Sequence, residues 1–323
     1  VSSTDNNSAA NWVAEVTGAT NISIVPLAEP GMSRAILLVT GTLRDGTALD
    51  ALIKQESGRG PFYDTPFGLR REAEVMRTAA RAGVPVPRIL AVSDDESCFL
   101  MERLRGSAAS HFRDAAEERS VRASYLKNLS ALHAASVSAF PLPFSGAPDS
   151  RQAILSDMED FCQIYERFCP RDATIEAAFV WMKDNVPQNL ESPSLLHGDA
   201  GPGNFMHENG GVTGFIDWEM AHLGDPADDL AWLWFRKKVL RQDADLGDWY
   251  DEYSIYSGRP FDAGKVAYFR VAVLIRTSIA ARMIQVRNPD RDLEMADIVV
   301  GLLGLALQER NGADVGASIP PLR

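Results

Sequence analysis

The densest polar chemistry in the chain is His197-Gly198-Asp199-Ala200-Gly201-Pro202-Gly203-Asn204, followed thirteen residues past Asn204 by Asp217-Trp218-Glu219. Asp199 and Asn204 are separated by a Gly-Pro-Gly loop, an irregular stretch that can turn both side chains toward one point. Positions two apart on a strand share a face, so Asp217 and Glu219 set two carboxylates side by side. Like charges held together repel, and a divalent cation is the usual resolution. Asp, Asn and Glu are all-oxygen donors, which suit magnesium better than zinc. A carboxylate that orients a hydroxyl and takes its proton, beside an amide and a carboxylate that hold a metal against phosphate charge, is the set of parts phosphoryl transfer needs.

The spacing His-x-Asp-x-x-x-x-Asn with a later Asp is that of a protein-kinase catalytic loop. That chemistry demands a lysine on a strand and a glutamate on the next helix. Lys54 ends an apolar strand segment, Ala51-Leu52-Ile53-Lys54. On the following helix Glu74 falls among Arg70, Arg77 and Arg81, whereas Glu72 falls within the apolar arc of Ala73, Val75, Met76 and Ala79. An ionised carboxylate there requires a partner, and Lys54 is the natural one. With Asp199 as the base, His197 is expected to orient the loop. Asp225 and Asp228 suit the start of a helix beside Pro226; Asp229 either caps that helix or reaches back to the loop. Trp218, Trp232 and Trp234 read as core, and His133 as a hydrogen-bonded helix histidine. A G-x-x-x-x-G-K-[ST] loop is absent, which excludes a P-loop kinase. The candidate phosphate-covering turn is 29–33, with Ser33 offering a hydroxyl.

Positioning these groups requires a sheet and a helical scaffold. Segments 34–41 and 47–55 flank Arg44-Asp45-Gly46, and 88–93 and 98–104 flank Asp94-Asp95-Glu96, giving two hairpins around a helix over 67–82. Helices are expected over 120–136, 154–169, 175–186, 226–240 and 263–286, interrupted between 194 and 221 by short strands and tight loops. The fold class is α+β: a small antiparallel N-lobe over residues 1–104 and a mainly helical C-lobe over 105–323. Across 323 residues, 44 acidic side chains outnumber 32 basic ones, for a formal net charge of −12. No basic block is present, so neither nucleic acid nor an anionic membrane is an expected partner. Three cysteines without paired spacing, and a polar N-terminus unlike a signal peptide, point to a reducing, cytoplasmic setting.

The blocks LHGDAGPGN (196–204) and IDWEMAHLGDPADDLAWL (216–233) resemble the aminoglycoside phosphotransferase family, the small-molecule branch of the protein-kinase-like fold. The resemblance runs from about residue 22 to 308. With Val84-Pro85-Val86-Pro87-Arg88 and Phe99-Leu100-Met101-Glu102-Arg103, it is most similar to the kinase-like domains fused to acyl-CoA dehydrogenases. It implies a bilobal fold with ATP between the lobes, Asp199 as catalytic base, and Asn204 and Asp217 as Mg2+ ligands. Glu219 is typical of the subgroup, and Asp229 matches a position that braces the catalytic loop. Lys54 would meet the α and β phosphates with Glu72 holding it, and Met101, Glu102, Arg103 and Leu104 would form the hinge against the purine. The single-glycine turn is common in the family. The implied partner is a small-molecule hydroxyl, with a hydroxyacyl-CoA or hydroxy acid first and an amino sugar or amino alcohol second. The competing readings are an inactive nucleotide-binding scaffold and a metal-dependent hydrolase, and the latter explains neither Lys54 nor Glu72.

Overall fold

A computed structural model describes residues 3–27, 34–108, 112–135, 149–239, 246–289 and 294–308. The N-lobe begins with helix α1 (Ser3–Thr17) and strands β1 (Thr20–Pro26), β2 (Arg34–Thr42) and β3 (Ala48–Glu56). Helix α2 (Leu69–Arg81) and strands β4 (Ile89–Val92) and β5 (Cys98–Glu102) complete it. The five strands form one antiparallel sheet in the order β1-β2-β3-β5-β4. Alternation along β3 sorts its side chains: Leu49, Ala51 and Ile53 join Val13, Leu37, Val39 and Leu100 in a small core under α1. Leu52 and Lys54 project to the other face. There Phe99 and Met101 pack with Val75, Met76 and Ala79 of α2.

The C-lobe carries helices α3 (Ala115–Ala134), α4 (Ser150–Phe168) and α5 (Ala173–Asp184). Four short strands follow, β6 (Ser194–Leu196), β7 (Phe205–Glu208), β8 (Gly211–Phe215) and β9 (His222–Gly224), and then α6 (Ala227–Trp234). Helices α7 (Gly247–Ser257), α8 (Ala263–Arg287) and α9 (Glu294–Gln308) close the lobe. Aspartates cap α3, α4, α5 and α8: Asp114, Asp149, Asp172 and Asp262 each accept from backbone N–H groups of the first turn, a bond worth about 1 kcal/mol per helix. Strand β6 pairs with β9, and β7 with β8. The two small ladders therefore hold the loop 197–204 and the segment 216–221 side by side.

Four elements differ from the sequence reading, which placed nothing before residue 34, between 240 and 263, or after 286. Helix α1 has only a thin apolar stripe, Ala9, Trp12 and Val13, that docks on the sheet. Strand β1 is a mostly exposed edge, while α7 is aromatic-rich and α9 is apolar nearly throughout. None gives a clean 3.6- or 2-residue signal. The helix expected over 226–240 also changes: α6 ends at Trp234 and continues as a π-helical turn, Phe235–Val239.

Asp228 is more than a first-turn acid. It is buried, and its carboxylate meets Arg276 Nη1 and Nη2 at 2.8 Å and His222 Nε2 at 3.2 Å. Arg276, on the buried α8, also reaches Asp157 of α4 at 2.7 Å. Burial alone would raise the Asp228 carboxyl, but Arg276 and His222 outweigh it and hold it down to about 2. A depressed folded-state pKa contributes stability above the unfolded value near 3.8 and loses it as pH falls. Urea midpoints should therefore drop between pH 4 and 2 by the equivalent of about 2 kcal/mol from this group. The Asp228→Asn variant, less stable at neutral pH, should lack that component.

Candidate active site

Lys54 stands on the cleft face of β3, directly below α2. Its Nζ lies 2.7 Å from Glu72 Oε1 and 3.0 Å from Asp217 Oδ1, so one ammonium joins sheet, helix and C-lobe. Glu72 is 1% exposed, and Oε1 also accepts from the backbone N–H of Trp218 at 3.1 Å. Burial would lower the lysine's pKa, but Asp217 and Glu72 more than reverse it and keep the ammonium charged. Desolvation likewise acts to raise Asp217, and Lys54 overrides it to hold the carboxyl below the usual range. Asp217 has φ of 67°, a left-handed conformation that Asp tolerates better than most residues.

The loop 197–204 is braced from beneath. Asp229 is fully buried, and its Oδ2 and Oδ1 accept from the N–H groups of His197 and Gly198 at 2.8 and 2.9 Å. His133 Nε2 donates to the same Oδ2 at 3.0 Å, and His133 Nδ1 meets the Tyr253 hydroxyl at 2.7 Å. Gly198 has φ of 79°, and a Cβ there would lie 2.0 Å from the Met220 carbonyl oxygen, so the two strand-linking loops touch only because it is glycine. His197 is fully buried; burial pushes its pKa down, and Nε2 donates to the Ile216 carbonyl at 3.0 Å. That bond ties the loop to the residue before Asp217. A neutral, enclosed imidazole is an orienting group here.

Asn204 Nδ2 donates to Asp199 Oδ2 at 2.8 Å and to the Asp199 carbonyl at 2.9 Å, leaving its amide oxygen turned away. The backbone N–H of Ile216 bonds the Asn204 carbonyl at 3.0 Å, which sets Asn204 beside Asp217. Glu219 points elsewhere: Oε2 lies 3.3 Å from Arg34 Nη1, and Arg34 in turn reaches Glu56 at 3.1 Å. Burial and then the nearby Asp217 charge push Glu219 up to about 8 despite Lys54 and Arg34. Among the described residues no cluster of three His, Cys, Asp or Glu side chains is arranged to hold a metal. A pair of hard oxygens does exist, since the Asn204 amide oxygen and Asp217 Oδ2 are both left over by the bonds above.

A cleft of about 740 Å3 opens between the lobes. Lys54, Glu72, Asn204 and Asp217 line one end, and Met101, Glu102, Arg103 and Leu104 line the other, with Leu52, Met76 and Ile216 forming apolar walls. Apolar faces above and below with a polar end suit a flat heterocycle carrying a charged tail. Ser33 lies outside the described residues. Asp199 is not itself part of this lining, but it is hydrogen-bonded to Asn204, which is.

Three arginines were missed in the sequence. Arg34 is 1% exposed and supports Glu219 from β2. Arg71, next to Glu72, crosses to the C-lobe and donates to the carbonyls of Glu219 and Ala221 at 2.9 and 2.5 Å. Arg236 grips Asp199, Nε to Oδ1 at 2.7 Å and Nη2 to Oδ2. Each reads in sequence as a surface cation, and Arg236-Lys237-Lys238 reads as a solvated helix end. His133 was seen, but its helix gives no sign that the partner is Asp229.

A five-stranded sheet over a helical lobe, with the Lys-Glu-Asp contact at their junction and an Asp-Asn loop beside it, defines a kinase-like phosphotransferase fold. The sequence profile of the family described as "Phosphotransferase enzyme family" (APH) matches residues 57–268, and the chain belongs to that family. Acyl-CoA dehydrogenase family member 11 of Gallus gallus is 25% identical over 197 residues, 56% of this chain and 25% of that protein. The chain thus spans a quarter of that relative's length. Aminoglycoside 3'-phosphotransferase of Streptomyces fradiae is 26% identical over 221 residues, 64% of this chain and 80% of that protein. In three dimensions, a thermostable mutant of aminoglycoside phosphotransferase APH(4)-Ia, in complex with AMP-PNP and hygromycin B, superimposes with a TM-score of 0.65. It covers 95% of this chain and 99% of its own at 18% identity, a likeness of fold. No helix among the described residues is long and apolar enough to cross a membrane.

Removing the Asp229 carboxylate strands two buried N–H groups and a buried imidazole. Asp229→Ala should cost about 3–5 kcal/mol of stability, read by chemical denaturation.

Proposed function

We propose that this chain is an ATP- and magnesium-dependent kinase that phosphorylates a hydroxyl of a small molecule. The observation that carries the reading is the Lys54 ammonium held between Glu72 and Asp217 at the polar end of an apolar-walled cleft. A scaffold that only bound a partner has no need of a buried, doubly paired lysine aimed at an acidic loop. In this reading Lys54 meets the α and β phosphates, and Glu72 holds its amine at a fixed height. The strand end Met101–Leu104 takes the purine against its backbone, and Ser33, next to β2 in the sequence, offers its hydroxyl to phosphate. Asn204 and Asp217 would hold magnesium through their remaining oxygens, with Glu219 joining them on leaving Arg34, and the ion would supply positive charge against the phosphate oxygens.

Asp199 is the base: it orients the acceptor hydroxyl and takes its proton as the hydroxyl oxygen attacks the γ phosphorus in line. Asn204 fixes the carboxylate's rotamer, while His197 and Asp229 fix the backbone that carries it. The acceptor we favour is a hydroxy acid or hydroxyacyl-CoA, supported by the acyl-CoA dehydrogenase relatives. The second choice is an amino sugar or amino alcohol, supported by the aminoglycoside relative. Free thiols at Cys98, Cys162 and Cys169 support a cytoplasmic setting.

The test is transfer itself. Incubation with MgATP and a panel of hydroxy acids, hydroxyacyl-CoAs, aminoglycosides, macrolides, choline and sugars should give one product heavier by a phosphate, detected by mass spectrometry. Asp199→Ala should lower its rate at least about 1,000-fold with MgATP binding retained. Products equally abundant in that variant, or ADP release with no phosphorylated acceptor from any class, would count against the reading.

A further inference from the structure

Arg236 is not needed to assemble the nucleotide end of the site, yet it is built into the acceptor end. It lies in the π-helical turn Phe235–Val239 and packs over Gly201, where a Cβ would lie 3.1 Å from Arg236 Cβ and Cδ. Such single π turns recur at functional sites. Its planar group has five N–H bonds. Nε and one N–H of Nη2 grip the two Asp199 oxygens, and Nη1 donates to the Pro202 carbonyl at 3.3 Å. One N–H on each terminal nitrogen is therefore left over, and the side chain keeps 16% of its surface exposed. Asp199 is similarly part-used: of about four lone-pair positions on a carboxylate, Arg236 and Asn204 occupy three. One acceptor position for a hydroxyl and two unused guanidinium donors thus sit side by side.

Resting on the kinase reading, we infer that Arg236 binds an anionic group of the acceptor, and that the acceptor is a free hydroxy acid. With its hydroxyl on Asp199 and its carboxylate on the Arg236 edge, each about 2.8 Å from its partner, the two groups lie roughly 4–6 Å apart. That is the reach of a 2-, 3- or 4-hydroxy carboxylate. Esterification or a CoA thioester removes the charge at this point, and a polyamine acceptor would bring a cation against the guanidinium. Arg236 thereby separates the members of the proposed acceptor class.

The test compares 2-, 3- and 4-hydroxy acids of four to eight carbons with their methyl esters and CoA thioesters, and with an aminoglycoside. MgATP binding is measured on each preparation. At least one acid should be phosphorylated with kcat/KM about 100-fold or more above its ester and thioester. Arg236→Gln should reduce that ratio to within about 5-fold, whereas Arg236→Lys keeps part of it. Calorimetric binding of the same acid to the MgAMP-PNP-loaded protein needs no turnover, and Arg236→Gln should weaken it at least about tenfold. Equal or faster transfer to an ester, thioester or aminoglycoside overturns the inference. So does unchanged acid affinity in Arg236→Gln, or a protein that binds MgATP and phosphorylates no acid. A protein that binds no MgATP overturns the kinase reading beneath it.

Discussion

A buried lysine ammonium with two carboxylates within 3.0 Å is the contact from which the rest of the structure can be read. Lys54 cannot be neutralised there without leaving Glu72 and Asp217 facing each other unpaired, and neither carboxylate tolerates losing it. The cost of burying the Lys54 and Glu72 charges beside a part-exposed Asp217 is offset only if their positions are fixed. The sheet fixes Lys54 through β3, and α2 fixes Glu72. The β7–β8 hairpin fixes Asp217, whose left-handed backbone directs it back toward the lysine. Arg71 adds a second anchor one residue from Glu72, taking two C-lobe carbonyls across the lobe boundary. Helix α2 is thus tied to both lobes in the same turn.

The second half of the site depends on backbone rather than charge. His197, Gly198 and Asn204 belong to a loop with little regular hydrogen bonding of its own, and Asp229 supplies the missing acceptors from below. Behind Asp229, His133 and Tyr253 extend the network into α3 and α7, elements that touch neither end of the cleft. This arrangement leaves the Asp199 side chain part-exposed while its main chain is held by buried hydrogen bonds. It also explains a scaffold with several buried ionic groups in place of a wholly apolar core, since the Asp228–Arg276–Asp157 cluster seats the same helix that carries Asp229.

The site residues that stood out in the sequence did so because they break a pattern. Glu72 interrupts an apolar helix face, Lys54 ends an apolar strand, and Asp199 and Asn204 flank glycines. In the structure they come together as one arrangement. The arginines stayed hidden because nothing local distinguishes them. Arg34, Arg71 and Arg236 each sit where a solvated cation would be ordinary, and their partners are 22, 148 and 34 positions away or more. The bilobal α+β architecture was legible from hairpins and long amphipathic helices. Helix α1 and strand β1 were not, because their stability comes from docking on the sheet and not from their own periodicity. The π turn at Phe235 was also invisible, being a change of winding within a segment of helical composition.

The most direct measurement of the central claim is a calorimetric titration of ATP into the protein with and without magnesium, repeated on Asp217→Asn. A cleft organised by Lys54, Glu72 and Asp217 predicts saturable binding that strengthens with magnesium in the native chain. It predicts that most of this magnesium dependence is lost in the variant, with the fold intact by circular dichroism. ATP binding that ignores magnesium, or is equally magnesium-dependent in Asp217→Asn, would contradict the account.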